Sequence, residues 1–331
     1  MTETSVAKPA EESSTAAVNR ALRLQEYALV FVIAALVVVG ALVSDRFLSY
    51  SNLLTILTSA SVVGVLAVGM TYVIATGGID LSVGSMVAAA SIAGGLIVRH
   101  ELVGDSTMSI GFILAAVLFA LLLGLVNSLA ITLGRVVPFI ATLAMFTIAR
   151  GLALRMSSQQ PISLSQLDTV RFLGTGRLVG IPVSVLVFLL VVVVGWFVLN
   201  RTAFGRYVVA TGGNPEAARI AGIRVQRIKF AVYLISAGCA GISAILLSGR
   251  LGSASPVVGN LYELDAIAAV VIGGTALSGG KATIVGTFLG VVTFALIFNL
   301  LNVLGLPAEL QQIVKGLIIL LAVIAQRKRN T

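Results

Sequence analysis

The sequence predicts an all-α polytopic membrane protein with about ten transmembrane helices, some of them interrupted or half-length. Three observations predict it. Of 331 residues, 58% are hydrophobic and 11% charged, whereas soluble domains carry about 25% charged residues; such a chain cannot clothe a water-facing surface and takes lipid as its solvent. Apolar runs of spanning length recur along the chain, separated by short polar or glycine-rich breaks. No run alternates with period two as a membrane β-barrel strand does, and lipid leaves backbone N–H and C=O groups no partner but the helix.

Residues 1–26 are polar and mixed in charge, with Glu3, Glu11 and Glu12 among them. A cleaved secretory signal begins with positive charge and reaches an apolar core quickly, so this segment is expected to be a disordered cytoplasmic tail. A spanning helix takes about 20 apolar residues. The runs 27–43, 53–75, 83–98, 109–133, 138–155, 181–199, 230–248, 263–277, 284–302 and 308–325 meet or approach that length. Residues 27–325 thus form the membrane domain, and 326–331 a basic cytoplasmic tail.

Lys and Arg accumulate on the cytoplasmic side of such proteins. With the N-terminus inside, 14 of the 22 Lys and Arg fall in cytoplasmic segments, from Lys8 and Arg20 through Lys281 to Arg329. Seven fall outside (Arg46, Arg99, Arg150, Arg155, Arg171, Arg177 and Arg250), and Lys315 lies in a span. Both termini are therefore expected in the cytoplasm. Two connections exceed a tight turn: 156–180, polar and facing outward, and 200–229, cytoplasmic and carrying six of the positives.

Residues 77–85 read GGIDLSVGS and 273–281 read GGTALSGGK. The shared G-G-x-x-L-S-x-G suggests an internal repeat of the kind that transporters build around interrupted helices. Both copies follow even-numbered spans, which favours a parallel relation.

No self-contained chemistry is apparent. Gly280-Lys281 lacks the Ser/Thr of a phosphate-binding loop, since Ala282 follows, and Thr275 replaces its first glycine. Gly174-Thr175-Gly176 is followed by Val179 where a dinucleotide motif has its third glycine. One histidine, His100, and one cysteine, Cys239, leave neither a catalytic triad nor a Cys/His metal cluster. No catalytic residue, metal or cofactor is expected, and the +9 charge is read as membrane topology, not nucleic-acid binding.

Ionisable residues inside spans are expensive and usually functional; Asp80, Asp265 and Lys315 are the candidates. Gly77, Gly78 and Gly84 weaken the helix around Asp80 and Ser82. Two roles are open to Asp80: capping the following helix, or lining a permeation path or its gate with Ser82. Lys315 is expected to be a snorkelling or interface residue in preference to a proton relay. Asn127, Asn299 and Asn302, set in apolar runs, are expected to bond between helices or to line a polar path.

The basic segment carries the strongest signal. Gly212-Gly213-Asn214-Pro215 breaks the chain, Asn214 suits an N-cap, Pro215 the first helical position, Glu216 the first turn and Gly222 a terminator. A helix of about two turns is not stable alone. It is expected either to dock in a partner's groove through Ala217, Ile220 and Ala221 or to lie on anionic headgroups.

Glu216-Ala217-Ala218, three residues, then Gly222 resembles the start of the E-A-A-x-x-x-G motif of bacterial ABC importer permeases. GGIDLSVGS at 77–85, GLVNSLAITLGRVVPFIATL at 124–143, IARGL at 148–152, GRYVVATGGNPEAARIAGI at 205–223 and GGTALSGGKATIVGTFLG at 273–290 resemble the ribose/xylose/arabinose/galactoside branch, over about 40–325. Ser128 departs from its usual Asn-Gly pair. The resemblance implies a bacterial inner-membrane permease for a monosaccharide or related polyol, working as a homodimer with a separate ABC ATPase and an extracytoplasmic sugar-binding protein. It implies that Gly213, Asn214, Glu216, Ala217, Ala218 and Gly222 contact the ATPase. It also implies that the 77–85 break, with Asn127, belongs to the translocation path or gate. The competing reading is an ion-coupled secondary carrier of a small polar solute, motivated by Asp80 and the repeat.

Overall fold

The structure, a computed structural model, describes residues 11–98 and 105–330. Its helices in chain order are α1 (Glu11–Val43), α2 (Tyr50–Ala75), α3 (Val83–Val98), α4 (Asp105–Thr132), α5 (Pro138–Met156), α6 (Asp168–Thr175), α7 (Val183–Arg201), α8 (Ala203–Gly213), α9 (Pro215–Ile220), α10 (Val225–Leu251), α11 (Tyr262–Ile272), α12 (Ile284–Val303) and α13 (Ala308–Asn330). Four two-residue strands occur in the connections: β1 (Ile162–Ser163) pairs antiparallel with β4 (Ser253–Ala254), and β2 (Arg177–Leu178) with β3 (Ile181–Pro182).

Six described helices are long and apolar enough to cross a membrane: α2, Ser106–Thr132 of α4, α5, α7, α10 and α12. Shorter apolar stretches are Tyr27–Val43 and α3. The expected run 263–277 ends early, at Ile272, which leaves α11 with 11 residues, about 17 Å of helix and half a bilayer. The chain is a multi-pass membrane protein; its spans separate by environment. Over their most apolar stretches α2 and α10 are two-thirds buried within the protein, whereas α4, α5 and α7 turn most of theirs outward. Small residues let the central helices approach: a side chain at Gly69 would press on Ser236 and Cys239, and one at Gly124 on Ala237. Hydroxyls tie them across, Thr71 to Thr287 at 2.8 Å and Ser91 to Ser248 at 2.7 Å.

The N-terminal tail differs from expectation. The backbone is helical from Glu11, inside the segment expected to be disordered, because Ala, Leu, Arg and Glu in 11–26 are strong helix formers continuous with an apolar helix. Residues 326–330 likewise continue α13. Residues 1–10, His100 and Arg99 lie outside the described residues.

Candidate functional site

The break after α2 is a glycine-terminated helix end. Gly77 has φ +75°, Gly77 N–H donates to Ile74 C=O at 2.8 Å and Gly78 N–H to Val73 C=O at 3.1 Å, the paired bonds of a Schellman cap. The break after α11 is built alike: Gly274 has φ +97°, its N–H reaches Val271 C=O at 3.0 Å and Thr275 N–H reaches Val270 C=O at 3.2 Å. The left-handed residue is the first glycine of one copy and the second of the other, so the caps correspond one residue out of register with the sequence match.

Asp80 is buried, at 1% exposure. One carboxylate oxygen accepts from Ser82 N–H at 3.0 Å and from the Ser82 hydroxyl, the other from the Ser236 hydroxyl of α10 at 2.9 Å. Asn127 of α4 donates to Ser82 Oγ at 3.0 Å. The N-cap of α3 is Ser82, whose carbonyl accepts Met86 N–H; Asp80 braces it from two residues upstream. Asp80, Ser82 and Asn127 therefore form one polar knot joining α3, α4 and α10, with Tyr233 crowding Gly78. Ser236 and Tyr233 escaped sequence reasoning because hydroxyls in an apolar helix are common and nothing in their spacing points to Asp80. Gly84 stands apart from the knot. It packs on the Glu263 carboxylate and the Gly259 carbonyl, where any side chain would collide.

In the basic segment, α9 covers Pro215–Ile220 with Asn214 as N-cap, its Oδ1 accepting Glu216 N–H at 3.1 Å and Ala217 N–H at 3.0 Å. Gly222, at φ +81°, turns the chain into α10. Glu216 pairs with Arg219 one turn on. Ala218 is buried, while Gly213, Glu216, Ala217, Ala221 and Gly222 are exposed and Ile220 is 90% exposed. The stretch before it, expected to be loop, is helix α8; the Thr202 hydroxyl caps it, accepting Gly205 N–H at 3.3 Å.

The C-terminal turn of α8 brings these regions together. Gly280 N–H donates to Ala75 C=O, the last residue of α2, at 3.0 Å. Gly212 sits over that bond: a Cβ there would run into Ala75 O and Gly280 N. A Cβ on Gly279 would meet Gly77 N at 2.8 Å and Gly212 O at 2.9 Å. The two breaks and the segment bearing α9 thus meet backbone to backbone, with glycine at each point of contact.

Two other expectations concerned ionisable and amide residues. Lys315 does not snorkel. Its ammonium lies 2.6 Å from Asp265, both largely buried, because α13 packs on α11 and a lone charge there would be far costlier than a pair. Asn299 exchanges two hydrogen bonds with Asn52 of α2, at 2.8 and 3.0 Å, and Asn302 accepts from Gln311 of α13 at 3.0 Å.

A bundle of apolar helices with glycine-capped breaks, and a small capped helix seated outside it beside those breaks, has the build of a membrane permease. Residues 52–323 match the family described as branched-chain amino acid transport system / permease component, and the chain belongs to that family. It is 43% identical to the ribose import permease protein RbsC of Bacillus subtilis strain 168, over 89% of this chain and 90% of that one. It is 38% identical to the ribose import permease protein RbsC of Escherichia coli K12, over 94% and 96%. Identity to the xylose transport system permease protein XylH of E. coli K12 is 33%, over 92% of each.

Proposed function

We propose that the chain is the translocating subunit of an ABC importer for a monosaccharide, a pentose, hexose or related polyol, and that ATP is hydrolysed by a partner ATPase. The observation that carries this reading is α9: a helix of six residues, capped at both ends, with Ile220 90% exposed, carried by the last turn of α8 that rests on both membrane breaks. The relatives name ribose and xylose, and they align over about nine-tenths of the chain; this favours a sugar over the amino acids in the family's description.

In this reading Gly213, Asn214, Glu216, Ala217 and Gly222 form the surface that meets the ATPase, with Ala218 buried beneath it to seat α9. Closure of the ATPase displaces α9 and α8 as one lever. Gly212 passes the displacement to the ends of α2 and α11–α12, so the nucleotide state and the access state share a differential contact. Ten helices (α1–α5, α7 and α10–α13) cross or enter the bacterial inner membrane, with both termini cytoplasmic and the outward apolar faces against lipid. Two copies form a homodimer with one path on the twofold axis, loaded from an extracytoplasmic sugar-binding protein. Gly77, Gly78, Asp80, Ser82, Gly84 and Asn127 form the hinge that gates that path. A self-powered, ion-coupled carrier is disfavoured by membership in a family of ABC permease components.

Glu216→Lys tests the coupling. The variant is expected to insert normally but to lose sugar uptake and co-purification of the ATPase; wild-type uptake would defeat the assignment. Uptake of labelled leucine in place of ribose or xylose would overturn the sugar reading.

A further inference from the structure

The hinge and α9 occupy one end of the bundle. At the other end, the first turns of α2, the last turn of α10, the start of α11 and the C-terminal half of α12 line a half-open cavity of about 430 Å³. Small-molecule sites span about 300–1,000 Å³, and this one would hold roughly a dozen waters.

Its lining is mixed in a particular way. Arg250, Tyr262, Asp265, Asn299 and Asn302 contribute polar groups from three helices. Most are held in place by neighbours. The Arg250 guanidinium donates to Ser59 Oγ at 3.1 Å, Asp265 is fixed by Lys315, Asn299 by Asn52, and Asn302 both by Gln311 and by its own bond to Phe298 C=O at 2.9 Å. These bonds consume part of each group's capacity. Arg250 has five N–H donors, a carboxylate about four lone-pair sites, and the Tyr262 hydroxyl both donates and accepts. Among the described residues Arg250 has no carboxylate within ion-pair distance. The remaining wall is aromatic: Phe294 and Phe298 stand with ring centroids 4.6 Å apart, tilted 46°.

An apolar guest would strand the donors of Arg250 and the acceptors of Asp265 without partners. A bare ion would leave the phenylalanine faces unused. A sugar ring satisfies both, with hydroxyls that donate and accept around its rim and C–H faces above and below. We propose that this cavity is a binding subsite for a neutral monosaccharide on the path through the permease, a proposal that rests on the sugar-import reading. Its polar groups are pre-held by Ser59, Asn52, Gln311 and Lys315, so binding costs little ordering. A subsite on a path must also release its ligand, so affinity is weak, at about millimolar Kd.

The test uses the full chain in lipid nanodiscs, with binding of labelled D-ribose and D-xylose measured by equilibrium dialysis. Saturable binding of at least one sugar is expected. Ala295→Phe, which fills the cavity, and Asn302→Leu, a change at an exposed position that leaves the bundle core intact, should each weaken it at least about tenfold. Val194→Phe on the outward face of α7 should not. Absence of saturable binding by the wild type, or wild-type affinity in either cavity variant, overturns the subsite; tighter binding of ribose 5-phosphate than of ribose overturns its neutral-sugar chemistry. Uptake by a deletion strain complemented with the chain separates the two levels. Sugar uptake without nanodisc binding sinks the subsite alone, whereas nanodisc binding without uptake sinks the importer reading.

Discussion

Gly212 and Gly213 are neighbours in the last turn of α8, and replacing each with alanine separates packing from propensity. Alanine gains about 0.5–1 kcal/mol over glycine in a helix, and that gain is common to both sites. The surroundings differ. A Cβ at Gly213 finds its nearest atom, Gly280 Cα, at 3.8 Å, an ordinary contact. A Cβ at Gly212 overlaps the backbone oxygen of Ala75 and the nitrogen of Gly280, neither of which can rotate away. Overpacking of this kind costs about 1–3 kcal/mol, and forcing Ala75 from Gly280 also strains a backbone hydrogen bond worth about 1 kcal/mol. Gly212→Ala is therefore expected to fall about 1–4 kcal/mol below Gly213→Ala in stability. Thermal unfolding of the purified permease in one detergent measures the difference, without needing the ATPase. Equal midpoints would refute the claim that the segment bearing α9 is seated directly on the two breaks. In the assembled transporter, Gly212→Ala should leave ATPase binding intact while lowering sugar uptake per ATP hydrolysed.

Two further changes probe the membrane interior. Asp80→Ala leaves the Ser236 hydroxyl and Ser82 N–H without an acceptor, at about 1–3 kcal/mol for each stranded group; Asp80→Asn keeps an acceptor and should lose less, a ranking that thermal unfolding and uptake together check. Lys315→Met strands Asp265 and should destabilise by about 3–5 kcal/mol, whereas Lys315→Met with Asp265→Leu should recover most of the loss, as buried pairs replaced by apolar residues do. Failure of the double variant to recover would show that Asp265 serves more than the ion pair, as its place in the cavity wall suggests.

What the sequence determined by itself was local or compositional. Too few charges for a water-facing surface meant lipid, and lipid meant helices. The start of α3 after Ser82 and the start of α5 at Pro138 follow from single residues, as do the Asn214 cap and the Gly222 turn, because caps and terminators act within one helical turn. The same is true of the glycine break at 77. Tertiary structure decided what lay between distant segments. Residues 203–213, with three glycines and two valines, could be helix or loop until they found α2 and α10 to pack on. Lys315 is a snorkelling candidate in isolation and an ion-pair partner only once α13 lies on α11, 50 residues from Asp265 in sequence. The repeat was visible as letters, yet its structural register is set by which glycine takes the positive φ, and that follows from where α2 and α11 end. Above all, the meeting of residues 75–78, 212–213 and 279–280 leaves no trace in any one of the three segments. Apart from the Ala75 carbonyl, they meet through glycines, and glycine records that something comes close without recording what.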